Sequence, residues 1–267
     1  MTYNLKLTSR NAEVYCVGGV KIAVSGKGGA GKTTLAAALV RGYAATHRRV
    51  YAVDADPDAS LALALGISPG VAGEIRPVVA LKERIHEVMG GEGEFFCLNP
   101  PLGEILDEFC FRLGKILFLR MGELKKGGTS CYCRENAFLN AVLTALLLER
   151  DEVVVMDMPA GIEHLSRGTA RGVDLLLVVT EPNRRSIHTG RLVESLAGDI
   201  GIPRVAVVGN KIQSPEEVAL VEAAFPGRVA GMLPFDQAAY RGEGDLGADF
   251  LKAVARIIDT LDKERAS

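Results

Sequence analysis

The sequence predicts a three-layer α/β fold, a doubly wound and mostly parallel sheet with helices on both faces. Three observations carry this. A glycine-rich turn from Gly26 to Thr33 joins an apolar run, Val20 to Val24, to a helix-forming stretch from Thr34 to Val40. Three further runs, Asp151 to Asp157, Leu175 to Thr180 and Val205 to Asn210, each hold an uninterrupted apolar stretch rich in β-branched residues that ends on a polar one. Strands buried on both faces read that way, and the segments between them are long enough for crossover helices. Finally, 48% hydrophobic and 24% charged residues in a 267-residue chain are enough to build a large core.

The turn reads Gly26-Lys27-Gly28-Gly29-Ala30-Gly31-Lys32-Thr33, the spacing of a P-loop placed between strand and helix. Without side chains at Gly28, Gly29 and Gly31 the backbone can curl so that its N–H groups meet phosphate oxygens, aided by the positive end of the following helix. Gly28, Gly29, Ala30, Gly31, Lys32, Thr33 and Thr34 are therefore the expected cradle of a P-loop NTPase, with Lys32 on the β- and γ-phosphates and Thr33 on magnesium. Lys27 is an addition to that spacing. Lys27-Gly28-Gly29-Ala30-Gly31-Lys32-Thr33 resembles the deviant phosphate loop of the MinD/ParA/nitrogenase-iron-protein class of ATPases. In that class the first lysine crosses to the partner's nucleotide, so the resemblance implies a catalytic Lys27 and a homodimer closed around two ATP molecules. The plainer alternative is a solvated lysine.

Elsewhere the composition excludes more than it proposes. No apolar run approaches the roughly 18 residues of a membrane helix. The N-terminus lacks a basic stretch leading into an apolar one, so the chain reads as cytoplasmic with no membrane role. With 31 Lys+Arg against 33 Asp+Glu there is no basic footprint for nucleic acid. Five cysteines in a long chain argue for free thiols or metal ligands rather than a disulfide framework. Residues 1–19 pattern with nothing that follows; they read as a disordered extension or as lying upstream of a true start at Val20. Residues 20–267 read as one domain.

The second strand, Tyr51 to Asp54, runs into Asp54-Ala55-Asp56-Pro57-Asp58. Acids at the carboxyl end of a strand in such a sheet face the phosphate crevice. Asp56 is the candidate to orient the attacking water, with Asp54 or Asp58 in magnesium's outer shell; Asp58 alternatively caps a helix from Ala59 to Leu65. Between Gly66 and Gly128 the pattern loosens into what reads as an insertion beside the sheet. It holds a weak strand at Phe95 to Leu98, a helix at Leu102 to Phe111 and a strand at Ile116 to Met121, with Cys97 and Cys110 as buried thiols.

Asp157 closes a buried strand as a magnesium-site carboxylate, and the Gly161 N–H that follows is placed to sense the γ-phosphate. Asn210-Lys211 ends a later strand where P-loop proteins read the base. Because Gln213 replaces the aspartate that selects guanine, adenine is expected, with Leu233-Pro234-Phe235 packing near the ring. The last helix, Asp249 to Lys263, is expected to pack through Leu251, Val254, Ile258 and Leu261.

Cys131-Tyr132-Cys133 follows a basic loop, Lys125-Lys126-Gly127-Gly128, and precedes a helix running from Arg134 to Leu148. Two thiols one residue apart can face one ion, whereas an incidental or a redox-active pair would need no ion. One chain supplies two ligands and a two-fold dimer supplies four, which suits zinc or square-planar nickel(II) at the dimer interface.

Several segments together resemble the CooC family of accessory ATPases. They are the phosphate loop with Lys27, Val53 to Asp58, Arg120 to Gly128, Cys131 to Asn136, Asp157 to Leu165 and Glu181-Pro182-Asn183. The resemblance implies ATP-dependent dimerisation, nickel or zinc held by Cys131 and Cys133 of two chains, and delivery to apo-carbon monoxide dehydrogenase. Relatives serving acetyl-CoA synthase share it. An iron–sulfur electron donor would need a cysteine near Met158 to Leu165, and a partitioning ATPase would need a basic face; the sequence has neither. Of the histidines, only His164 is placed to join a metal site.

Overall fold

The computed structural model describes residues 19–47, 49–56, 58–90, 97, 102, 106–122, 133–149, 152–161, 172–242 and 245–266. Among the described residues, eight strands form one sheet in the order β3-β4-β2-β5-β1-β6-β7-β8. They are β1 (Lys21–Gly26), β2 (Val50–Asp54), β3 (Phe111–Leu113), β4 (Ile116–Arg120), β5 (Val153–Asp157), β6 (Leu175–Thr180), β7 (Val205–Ile212) and β8 (Val229–Pro234). All neighbours are parallel except the edge pair β3 and β4. The helices are α1 (Lys32–Thr46), α2 (Leu61–Ala64), α3 (Pro69–Glu74), α4 (Lys82–Met89), α5 (Cys133–Thr144), α6 (Arg184–Ile200), α7 (Pro215–Ala224), α8 (Gln237–Arg241) and α9 (Ala248–Ala266).

The strands β1, β2, β5 and β6 are buried at every position, so their apolar residues run without polar interruption rather than alternating. Alternate side chains still go to opposite faces. Tyr51, Leu117, Val154, Met156 and Leu176 join Phe138 of α5 and Val193 of α6 in one apolar layer. Ala52, Phe118, Val155 and Leu177 join Leu35, Leu39 and Tyr43 of α1 and Phe250 of α9 in the other. The result is the three-layer, doubly wound sheet expected from the sequence.

Among the described residues, part of the segment from Gly66 to Gly128 belongs to the sheet itself rather than standing beside it. Its strand β4 pairs with β2 along its whole length, and β3 covers the outer edge of β4. Of the helix expected over Leu102 to Phe111, residues 103–105 lie outside the described residues; Leu106–Phe109 form a 3-10 turn, after which Phe111 enters β3. Asp107 explains the turn. It accepts from Tyr51 Oη at 2.5 Å and pairs with Arg49 at 2.9 Å and Arg112 at 3.3 Å, pinning the turn to β2 by polar contacts that no periodicity reports. Cys97 is exposed rather than buried, and Cys110 is half-buried with its thiol donating to the Leu106 carbonyl at 3.6 Å. The rest of the strand expected at Phe95 to Leu98, and the expected extension up to residue 18, lie outside the described residues.

The final helix is also rotated from expectation. Phe250, Val254, Ile257 and Leu261 are buried, whereas Leu251 is 39% exposed. A stripe at i, i+4, i+7 and i+11 is the regular solution on a 3.6-residue helix, and the larger Phe250 takes its first position. Among the described residues no helix is long and apolar enough to cross a membrane.

Candidate nucleotide site

β1 delivers the chain into the glycine-rich turn at Gly26, where φ is 143° and a Cβ would stand 2.3 Å from the Val179 carbonyl oxygen. Gly31, the N-cap of α1, has φ 97°, a left-handed conformation that glycine adopts at little cost. No side chain caps α1 and no acid lies in its first turn. The N–H groups of Lys32, Thr33 and Thr34 therefore have no helical acceptor and stay available to an anion.

A cavity of about 850 Å³ opens over this turn, lined by Gly28, Gly29, Gly31, Lys32, Thr33 and Thr34 on one side. Asp56, Asp58 and Ser60 line it after β2, and Pro159 and Ala160 line it after β5. Every one of these segments leaves the carboxyl end of a parallel strand, which is where open α/β sheets place ligands. Ala30 is fully buried beneath the loop. Lys27 is half-buried, its carbonyl accepts from Ala30 N–H at 3.1 Å, and it is not part of the lining.

Two carboxylates lie behind Thr33. Asp54 and Asp157 are register partners on β2 and β5 and both are fully buried. Thr33 Oγ1 donates to Asp157 Oδ2 at 2.6 Å, Ser60 Oγ donates to Thr33 Oγ1 at 3.3 Å, and Leu61 N–H donates to Asp54 Oδ2 at 3.2 Å. The remaining oxygens, Asp54 Oδ1 and Asp157 Oδ1, are buried without a hydrogen-bond partner. Burial pushes Asp54 up to about 6 and Asp157 up to about 7, with the charge of Asp54 adding to the shift of Asp157. Such a donor set, all oxygen with two unsatisfied carboxylate atoms beside a threonine hydroxyl, fits a hard divalent cation such as magnesium.

The remaining expected residues are distributed unevenly. Asp56 lines the cavity while its Oδ1 accepts from Asp58 N–H at 3.1 Å. Asp58 does not cap α2, whose N-cap is Ser60; the Leu61 N–H goes instead to Asp54. Gly161 is buried with φ 119°, its carbonyl accepting from Ser25 Oγ at 2.7 Å, and the wall here is Pro159 and Ala160.

Asn210 and Lys211 reach the cavity, and the side chain of each donates to the phosphate loop. Asn210 Nδ2 donates to the Ala30 carbonyl at 2.7 Å, and Asn210 Oδ1 accepts from Lys211 N–H at 2.8 Å. Pro234 ends β8 and does not line the cavity, which continues instead with Phe235, Asp236, Ala239 and Tyr240. Phe235 and Tyr240 stand with ring centroids 5.7 Å apart. Asp236 holds them by accepting from Ala239 N–H at 2.8 Å and Gly247 N–H at 2.8 Å. Sequence reasoning does not find Ser60, Asp236, Ala239, Tyr240 or Phe250. An aspartate three residues before Ala239 is a capping pattern and is the available signal for that end.

Cys131 lies outside the described residues, and so does His164. Cys133 is the first residue of α5, one position earlier than the expected helix start, and the helix ends in a π segment at Ala145–Glu149. Among the described residues no group of three metal-ligating side chains assembles.

The family described as the CobQ/CobB/MinD/ParA nucleotide binding domain matches residues 21–245. The chain is 40% identical over 223 residues to the carbon monoxide dehydrogenase accessory protein CooC of Rhodospirillum rubrum, covering 82% of this chain and 85% of that protein. It is 36% identical over 227 residues to an uncharacterized ATP-binding protein of Methanocaldococcus jannaschii, with 84% and 88% covered. Among solved structures it resembles the septum site-determining protein MinD of Pyrococcus horikoshii in complex with Mg-ADP, with TM-score 0.63 and 20% identity over 91% of this chain and 96% of that one. At that identity the likeness is one of fold.

Proposed function

Since the chain belongs to the CobQ/CobB/MinD/ParA nucleotide-binding family and is an ATPase related to CooC, we propose that it is an ATP-driven nickel-insertion factor for carbon monoxide dehydrogenase. The observation that carries this is the 40% identity to a carbon monoxide dehydrogenase accessory protein, combined with Cys131 and Cys133.

Topology supports a link between nucleotide and metal. α5 crosses over from β4 to β5, which lie on either side of β2 and run parallel to it, so its first residue, Cys133, stands at the carboxyl edge of the sheet. The phosphate loop leaves β1 at that same edge. Two chains meeting edge to edge over their cavities would bring together two nucleotides and two Cys131/Cys133 pairs. Four thiolates then hold one nickel ion, or zinc, as cargo.

For hydrolysis, Lys32 and the first-turn N–H groups of α1 bind the phosphates and Asp56 orients the water that attacks the γ-phosphorus. Lys27 from the partner meets the charge that develops on the phosphoryl oxygens. Thr33, with Asp54 and Asp157 behind it, would hold magnesium, which supplies charge neutralisation at those oxygens. Closure on ATP assembles the thiolate site, and loss of the γ-phosphate relaxes it.

Activation of nickel-free carbon monoxide dehydrogenase tests the proposal. With nickel limiting, the chain plus ATP should raise the rate of activation, and Cys131→Ala or Cys133→Ala should return it to the rate seen without the chain. Equal activation by wild type and both cysteine variants would contradict it.

A further inference from the structure

We propose that Lys211 is a positioning residue for the ATPase reaction, a strut that holds the phosphate-binding loop by its Gly29 carbonyl while Glu181 holds the ammonium in place. The inference rests on the chain's being an ATPase and is independent of the nickel proposal.

Lys211 and Ala59 are the non-glycine residues at positive φ among those described, Lys211 at 62°. A lysine gains nothing locally from that conformation, and sparsely populated backbone persists where surrounding contacts enforce it. The enforcement here is a slip in the pairing of β7 with β8 between Gly209 and Ile212, which swings the Lys211 side chain to the phosphate loop. Its Nζ donates to the Gly29 carbonyl at 2.7 Å and pairs with Glu181 Oε1. Asn210, the preceding residue, holds the next carbonyl of the loop, that of Ala30. Consecutive residues of one strand end thus grip consecutive carbonyls of the loop.

Peptide planarity makes this grip effective. With the Gly29 carbonyl held by Lys211, the N–H across that peptide, on Ala30, points the other way and closes the turn onto the Lys27 carbonyl at 3.1 Å. With the Ala30 carbonyl held by Asn210, the Gly31 N–H is turned to the opposite side, toward the cavity. A donor array fixed before the phosphate arrives avoids the ordering cost at binding.

The strut has a firm base. Glu181 Oε2 accepts from Asn183 Nδ2 at 3.0 Å and its N–H donates to Ser186 Oγ at 2.9 Å, while Asn183 caps α6 by accepting from Ser186 N–H at 3.0 Å. The Lys211 ammonium and the Asn210 side-chain oxygen are thus both hydrogen-bonded to protein groups.

Titrations of ADP, inorganic pyrophosphate and adenosine, together with kcat and KM for ATP and GTP, separate loop positioning from base reading. Lys211→Met should weaken ADP and pyrophosphate by a common factor of about 10 or more, the usual scale for a charge-assisted hydrogen bond. Adenosine affinity and the ATP:GTP ratio of kcat/KM should not change, KM should rise more than kcat falls, and Lys211→Arg should recover most of the loss. Glu181→Gln should move the same quantities in the same direction, and it carries the test if Lys211→Met does not fold. Unchanged pyrophosphate affinity in these variants, or a shifted ATP:GTP ratio, would overturn the proposal.

Discussion

Replacing Lys27 by alanine is expected to lower ATP turnover by roughly 10²–10³-fold, the scale of losing one transition-state charge stabiliser, while ADP affinity stays within a factor of about two. The reason is geometric. Lys27 sits at the front of its own phosphate loop but outside the cavity that the loop lines, so binding by its own chain does not use it. Turnover does, if the ammonium acts on the partner's nucleotide. Mixing two inactive variants checks this. A heterodimer of Lys27→Ala with Asp157→Asn has one complete site, made of the first chain's carboxylates and the second chain's Lys27. Random pairing makes half the dimers mixed, each with one of two sites working, so activity should return to about a quarter of wild type. No recovery on mixing would mean that Lys27 acts within its own chain or not at all.

Asp157→Asn is expected to lower turnover by at least about 10²-fold and, unusually for a loss of function, to raise the melting temperature of the nucleotide-free protein at pH 8. Asp157 is buried beside Asp54 with one oxygen unsatisfied, and burial raises both carboxyls from 3.8, to about 7 and about 6. A carboxyl whose folded pKa lies above its unfolded value contributes stability that is full below about pH 4 and is lost as pH rises through the folded value. Between pH 4 and 7 the empty site therefore becomes progressively less stable, and the uncharged side chain of the Asp157→Asn variant escapes the Asp157 share of that loss, which runs from about pH 4 to about pH 7.

Thermal melts of both proteins from pH 4 to pH 8 measure it. The curves should lie closest near pH 4, separate up to about pH 7 and run parallel beyond it, with magnesium stabilising wild type at pH 8 and leaving the variant unmoved. A variant less stable than wild type across the whole range would mean that the Asp157 charge is already compensated in the empty protein.

Much of this site could be read from the sequence because a phosphate cradle imposes short-range requirements. Glycine at positions 28, 29 and 31, lysine at 32 and threonine at 33 are all set by a loop that must curl within eight residues, and acids at the ends of Tyr51 to Asp54 and Asp151 to Asp157 follow from the parallel sheet.

What escaped was set over long range. The Asn210 amide meets the Ala30 carbonyl from 180 residues away, a contact with the phosphate loop that no local pattern reports. The same limit applies to β4, whose place beside β2 depends on a pairing no local pattern encodes, and to Asp107, whose partners Arg49, Tyr51 and Arg112 come from two separate segments. Leu251 and Phe250 differ by one position on α9, and only packing against α1 and the sheet chooses between them.

The most direct test of the central claim, that ATP state gates a metal shared by two chains, is nickel stoichiometry by equilibrium dialysis with ADP and with a non-hydrolysed ATP analogue, for wild type and Cys131→Ala. The account predicts one nickel per two chains with the ATP analogue, weaker binding with ADP, and none in the variant. Nickel binding indifferent to nucleotide, or unchanged in Cys131→Ala, would contradict it.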